Sequence, residues 1–247
     1  MRRRLIFLFV LWVAACTAPP SATPLPTPQL VRVAYPPSLS YLTEALSGCA
    51  REIPGMALGV FETPASALDI QQNDITLWIG EPPGGGFAAL LGRQELLVIL
   101  NPDNPLDKIS SDDLRALFDG TVTNWEAVGG DDLEVAVWVY PQNNELQEIV
   151  DSVILQGQQF SSHAWLAPDA AAMMEAIAGD PAAVGVLPQA WLTAAVKPAE
   201  IDQDLRELLL QPVLALAEEE PEGIEREFLA CLQSSGGQTD PAADHLP

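Results

Sequence analysis

Positive charge is scarce in this sequence: 11 Lys and Arg stand against 34 Asp and Glu, for a formal net charge of −23 at pH 7. Nucleic acids are gripped through phosphates by Lys and Arg, so a nucleic-acid partner is excluded and anionic headgroups are repelled. A small anionic ligand is not excluded, because helix N-termini and backbone N–H groups hold oxyanions without net positive charge. Such a ligand would gain no long-range steering from the surface. Histidine is nearly absent, with His163 and His245 as the two copies. Ser161-Ser162-His163 lies in no nucleophile elbow and has no orienting carboxylate, so no enzyme is expected. The acidic pairs Asp112-Asp113 and Asp131-Asp132 lack the alternating oxygen ligands of a calcium loop. Gly84-Gly85-Gly86 is not followed by the Lys-Ser or Lys-Thr of a phosphate cradle. Neither metal nor cofactor is expected.

Long apolar runs are also missing. The longest stretch, Leu5 to Val13, follows Arg2-Arg3-Arg4 and falls short of the roughly 20 residues that span a bilayer. With Ala14-Ala15 before Cys16 it reads as a secretory signal over residues 1–15. Val13-Ala14-Ala15-Cys16 resembles the bacterial lipobox, which implies lipidation of Cys16 and contact with the membrane through that anchor alone. The alternative is an ordinary cleaved signal with an incidental cysteine. Residues 16–29 continue as an uncharged Pro/Ser/Thr-rich tether.

Of the three cysteines, Cys49 and Cys231 remain if Cys16 is acylated. They fall in helix-like segments, 41–52 and 223–234. Export to an oxidising space favours a disulfide between them, and two buried thiols that never meet are the other reading.

The body alternates strand and helix. Val31 to Tyr35 reads as a strand stopped by Pro36-Pro37, with Ser38 or Ser40 as the cap of the following helix. Met56 to Phe61 and Ile75 to Ile79 read as strands, Ala65 to Gln72 as a short helix, and Leu96 to Leu100 as a buried strand. Beyond Asn101, the spacing predicts a Ser110- or Ser111-capped helix to Phe118 and a strand over Leu133 to Tyr140. A helix over Glu145 to Leu155 follows, then a helix over Ala170 to Ala178 and a strand over Ala183 to Leu187. A strand over Leu208 to Ala217 and a helix over Glu222 to Gln233 close the chain. This alternation predicts an α/β fold with mainly parallel sheet.

Residues 101–130 carry a motif: Asn101-Pro-Asp-Asn-Pro105, the cap at Ser110, Leu117-Phe118-Asp119-Gly120, Asn124-Trp125 and Gly129-Gly130. It resembles the phosphate-binding, PstS-like solute-binding proteins of ABC importers. Ala183-Val-Gly-Val-Leu-Pro188 resembles that family's Ala-Ile-Gly-Tyr strand. The resemblance implies a two-lobed type II periplasmic-binding-protein-like fold, each lobe a mainly parallel sheet flanked by helices. Residues 30–100 plus 205–240 would form lobe I, 101–204 lobe II, and 241–247 a polar tail. It further implies an extracytoplasmic receptor, monomeric, that hands a small solute to an ABC permease. Physically, the motif is scaffold: prolines set the chain path, Gly120 stops a helix and Trp125 plugs a turn.

The family binds phosphate on three polar loops at helix starts, and here all three differ. The first is Pro36-Pro37-Ser38-Leu39-Ser40, which keeps hydroxyls. The second, through Trp78 to Glu81, places an aromatic and a carboxylate where Ser and Asp stand in the family. The third, Tyr140-Pro-Gln-Asn143-Asn144-Glu145, lacks the arginine fork that grips phosphate in paired charge-assisted bonds. The candidate ligand-binding residues are therefore Ser38, Ser40, Trp78, Glu81, Tyr140, Asn143, Asn144 and Glu145. Kinship points to phosphate or another oxyanion, whereas these side chains suit a neutral or cationic organic solute. The competing view makes Trp78 core and the Asn pair turn chemistry. A second functional reading is a binding-fold lipoprotein that has lost transport and acts as a sensor or envelope interaction protein.

Overall fold

The computed structural model describes residues 27–236. The signal segment, Cys16, most of the tether and the polar tail lie outside them. Strand β1 (Gln29–Tyr35) runs parallel to β2 (Met56–Glu62) on one side and to β3 (Ile75–Ile79) on the other. All five residues of β3 are buried, as a continuous apolar run inside a covered sheet requires.

The sheet continues through antiparallel neighbours. β3 pairs with β9 (Leu210–Ala217), and β9 with β4 (Phe87–Leu100). β4 is the longest strand, at 14 residues. Its residues 87–95 lie along β9, and Leu96 to Leu100 pair with β7 (Ala183–Pro188). β7 then pairs in parallel with β5 (Ala136–Val139), and β5 with the two-residue β6 (Trp165–Leu166). A short β8 (Lys197–Pro198) flanks the end of β4. The order is β2-β1-β3-β9-β4-β7-β5-β6, parallel at both ends and antiparallel in the middle.

Helices cover this sheet. α1 (Thr43–Glu52) and α6 (Gly223–Gly236) pack together at the β1–β2 end, and a disulfide joins Cys49 to Cys231 with 5.7 Å between their Cα atoms. α2 (Ser111–Asp119) starts where the Ser110 side chain accepts a hydrogen bond from the Asp113 N–H. It stops at Gly120, whose φ of 81° is left-handed. α3 (Glu145–Val153) follows β5, and α4 (Ala170–Gly179) precedes β7. α5 (Gln203–Leu208) leads into β9.

Four segments differ from the sequence expectation. Neither Ser38 nor Ser40 caps the helix after β1: the 3₁₀ helix Pro37–Leu42 starts after Pro36 and α1 after Leu42, neither with a side-chain cap. The helix expected over Ala65 to Gln72 is a single 3₁₀ turn at Ala65–Ala67. The Asp69 carboxylate accepts from the Gln71 N–H at 2.9 Å, capturing a main-chain donor a helix would need, and is held by Gln72 Nε2 at 2.8 Å. The strand expected over Leu133 to Tyr140 is confined to Ala136–Val139. The strand expected from Leu96 begins nine residues earlier, at Phe87. An irregularity between Leu90 and Gly92 shifts the inside-outside alternation there and hides the strand from a period-two reading.

The motif residues fasten the β7–β5 end. Asn101, nearly inaccessible, donates from Nδ2 to the carbonyls of Ile177 (3.0 Å) and Ala178 (2.8 Å). Asn104 Nδ2 reaches the Pro181 carbonyl at 3.3 Å, and Trp125 Nε1 reaches Ala182 at 2.8 Å. Each bond satisfies a main-chain carbonyl in the turn that sets up β7.

Candidate functional site

β1 ends at Tyr35 and Pro36 turns the chain into a 3₁₀ helix, Pro37–Leu42, on which Ser38 is buried. β5 ends at Val139, and Asn144 caps α3 by accepting from the Leu146 N–H at 2.9 Å. That cap sets Glu145 as the first residue of α3, facing the β1 side. The Ser38 Oγ donates to Glu145 Oε1 at 2.5 Å, the short range of a hydroxyl bonded to a carboxylate. The two residues are 107 positions apart in sequence and both are 3% exposed. A second bond crosses the same seam: Trp191, in the 3₁₀ turn after β7, donates from Nε1 to the Ser38 carbonyl at 2.9 Å.

The end of β3 closes in as well. Gly80 has a φ of 88°, and a Cβ placed on it would stand 3.3 Å from Ile149 Cδ1 of α3. Any side chain there would be strained and would press α3 outward. Behind the seam, Gln147 is fully buried. Its Oε1 accepts from the Tyr140 N–H at 2.9 Å and its Nε2 donates to Asp151 at 2.7 Å, bracing α3 against the end of β5.

The electrostatics are one-sided. Burial pushes the Glu145 carboxyl above the ordinary glutamate range; Glu148 pushes the same way, while the Ser38 hydroxyl and the residue's own N–H oppose it. The Tyr140 phenol is held well above its ordinary value by burial first, then by the negative charge of Glu145 and Asp169. It stays a neutral donor and bonds the Val186 carbonyl at 2.8 Å. Among the described residues Glu145 takes part in no ion pair, and its Oε2 is a buried oxygen without a hydrogen-bond partner.

Of the eight candidate residues, the structure brings Ser38 and Glu145 together. Ser40 lies two residues after Ser38, and its carbonyl accepts from the Thr43 hydroxyl at 2.7 Å. Trp78 is 7% exposed and donates to the Glu81 carbonyl at 2.9 Å, which closes the turn after β3. Tyr140 is enclosed and bonded to the main chain, Asn144 is spent on its cap, and Asn143 and Glu81 are exposed. Trp191, Gly80, Gln147 and Ile149 were not picked out from sequence. For Trp191 the available signal is a tryptophan directly after a strand that ends in Pro188. A shallow groove beside the glycine loop, lined by Pro83, Gly85, Phe87 and Leu216 among others, shares no residue with the seam. Among the described residues no cluster of three or more His, Cys, Asp or Glu is placed to hold a metal, and no helix is long and apolar enough to cross a membrane.

A sheet with parallel ends, antiparallel long strands at its centre and a seam at the strand ends is the type II periplasmic-binding-protein architecture. Residues 73–213 match the family model described as the PBP superfamily domain, and the chain belongs to that family, a solute-binding rather than an enzymatic class. The phosphate-binding protein PstS of Bacillus subtilis (strain 168) is 26% identical over 144 residues, 56% of this chain and 47% of that protein. The chain thus spans about half the length of this curated relative. A Clostridium perfringens protein assigned as a phosphate ABC transporter substrate-binding protein, solved with bound phosphate, superposes with a TM-score of 0.74. It is 16% identical, and the match covers 88% of this chain and 98% of that one. An ABC-type phosphate transport receptor from Vibrio cholerae gives 0.67 at 17% identity, covering 85% and 96%. The CcmR regulatory domain of Synechocystis PCC6803, in complex with 2-PG, gives 0.64 at 18%, covering 85% and 98%. The fold is therefore PstS-like.

Proposed function

We propose that this chain is the solute receptor of an ABC-type importer. It is held outside the cytoplasm by lipid on Cys16 and takes a small solute into the seam between two lobes. Lobe I is residues 30–100 plus 205–240, and lobe II is 101–204. The receptor acts as a monomer and delivers its solute to a permease. The observation that carries this reading is the Ser38–Glu145 contact, because it joins two of the loops that occupy ligand-loop places in the family pattern. Polar side chains from two separate elements that converge at a buried point are what would orient a solute.

Thermal unfolding of the full chain against phosphate, sulfate, amino acids, sugars and amines tests it. A solute that binds the native state alone raises stability as RT ln(1 + [L]/Kd), so one class is expected to lift the midpoint and the others to leave it in place. Silence across the whole panel sinks the receptor reading. The anchor is tested separately: Cys16→Ala is expected to release the chain from the membrane fraction.

A further inference from the structure

We infer that Glu145 determines the specificity of the seam: its carboxylate occupies the place of an oxyanion and directs the site to a solute with a cationic, N–H-bearing head group, an amine or amidine. This deepens the receptor reading and rests on it. Donors decide the first half. An oxyanion at this crossing would need the Ser38 hydroxyl and the first N–H groups of α3. The Ser38 hydroxyl is given to Glu145 Oε1, and the Leu146 N–H is given to Asn144 Oδ1. The chain supplies its own anion, and a second one finds these donors taken.

Acceptors decide the second half. Glu145 Oε2 is buried without a partner in a residue that is 3% exposed. A carboxylate oxygen removed from water and left unpaired is costly, and a hydrogen-bonding cation relieves it. The groups facing it add negative charge or none: Glu148 on α3, Tyr140 at the end of β5 and, beyond Tyr140, Asp169 at the cap of α4. None of these carboxylates pairs with a Lys or Arg among the described residues. An ammonium or amidinium would bring the missing charge and donate to Oε2, whereas a phosphate dianion would meet the same field as repulsion. Trp191, bonded to Ser38 on the rim of the seam, offers an aromatic ring of the kind that cations favour.

The test is calorimetric titration of the full chain with putrescine, agmatine and inorganic phosphate, repeated on Glu145→Gln. Glutamine keeps the shape and an acceptor for Ser38 and removes the charge. The native chain is expected to bind an amine and to ignore phosphate, and Glu145→Gln to weaken the amine by about tenfold or more, as loss of a charge-assisted bond requires. If the variant does not fold, the native chain still decides: amine binding weakens as pH falls and Glu145 takes up a proton. Phosphate binding by the native chain overturns the inference and leaves the receptor reading standing. So does an amine affinity indifferent both to Glu145→Gln and to pH. Silence towards amines overturns the inference alone, because the receptor reading falls only if every solute class is silent.

Discussion

At the β1–β2 end of the sheet the outer helices are joined covalently, Cys49 of α1 to Cys231 of α6. At the β7–β5 end no such bond exists among the described residues, and side-chain amides, an indole and a phenol hold the turns through main-chain carbonyls instead. The two devices act on different states. A disulfide works chiefly by restricting the unfolded chain. Buried donors work in the native state, where each leaves a costly orphan if removed. The first end is tied through the unfolded chain, while the second holds α4 and β7 through these bonds and α3 through Gln147.

The sharpest way to separate the ends is reduction. The bridged residues are 182 positions apart, for which the chain-entropy model gives about 5 kcal/mol. Cys49→Ser is expected to lower the unfolding free energy from chemical denaturation by a large part of that, and so the midpoint, and reductant to do the same to the native chain. Equal midpoints with and without reductant would break the comparison. Asn101→Ala is the counterpart at the other end. It strips two carbonyls and the Asp103 N–H of their partner, at roughly 2–4 kcal/mol. That loss is expected to be the same size in reductant.

A pH series sharpens the contrast further. The folded-state pKa of Glu145 is raised, so its protonated form is the one the fold prefers. The associated stability is fully present below the unfolded value of about 4.3 and is lost as pH rises through the folded value. The difference in stability between the native chain and Glu145→Gln is expected to shift across that window, in favour of the native chain at the acid side. A flat difference would remove Glu145 from the account. The smallest effect belongs to the surface: Arg206 makes two bonds to Glu95, at 2.6 and 3.1 Å. Arg206→Gln is expected to cost about 0.5 kcal/mol, as exposed pairs do, and less in high salt.

Local signals made part of this molecule legible in its sequence. Ser110 and Gly120 bracket α2 because a cap hydroxyl and a left-handed stop are properties of single residues. The run from Ile75 to Ile79 reads as a strand because both its faces are covered. Cys49 and Cys231 were the two cysteines left to pair once Cys16 is assigned elsewhere. The first nine residues of β4 were hidden because the irregularity near Gly92 breaks the alternation on which the reading depends. In the candidate site, Ser38 and Glu145 each read as ligand-loop residues, on loops far apart in sequence. Their bond is a tertiary fact that no local pattern encodes. Trp78 and Tyr140 drew notice as aromatics in loop positions, and their indole and phenol donors are instead turned inward to main-chain oxygens.

One strand ties the two ends of the sheet together. β4 pairs with β9 through residues 87–95 and with β7 through Leu96 to Leu100, with one register irregularity between Leu90 and Gly92. The β9 and β7 ladders are thus joined by a plank rather than a string. Any relative twist of the two ladders must run along this one hydrogen-bonded ribbon, so the pairing with β9 and β7 on either side of Glu95 resists it.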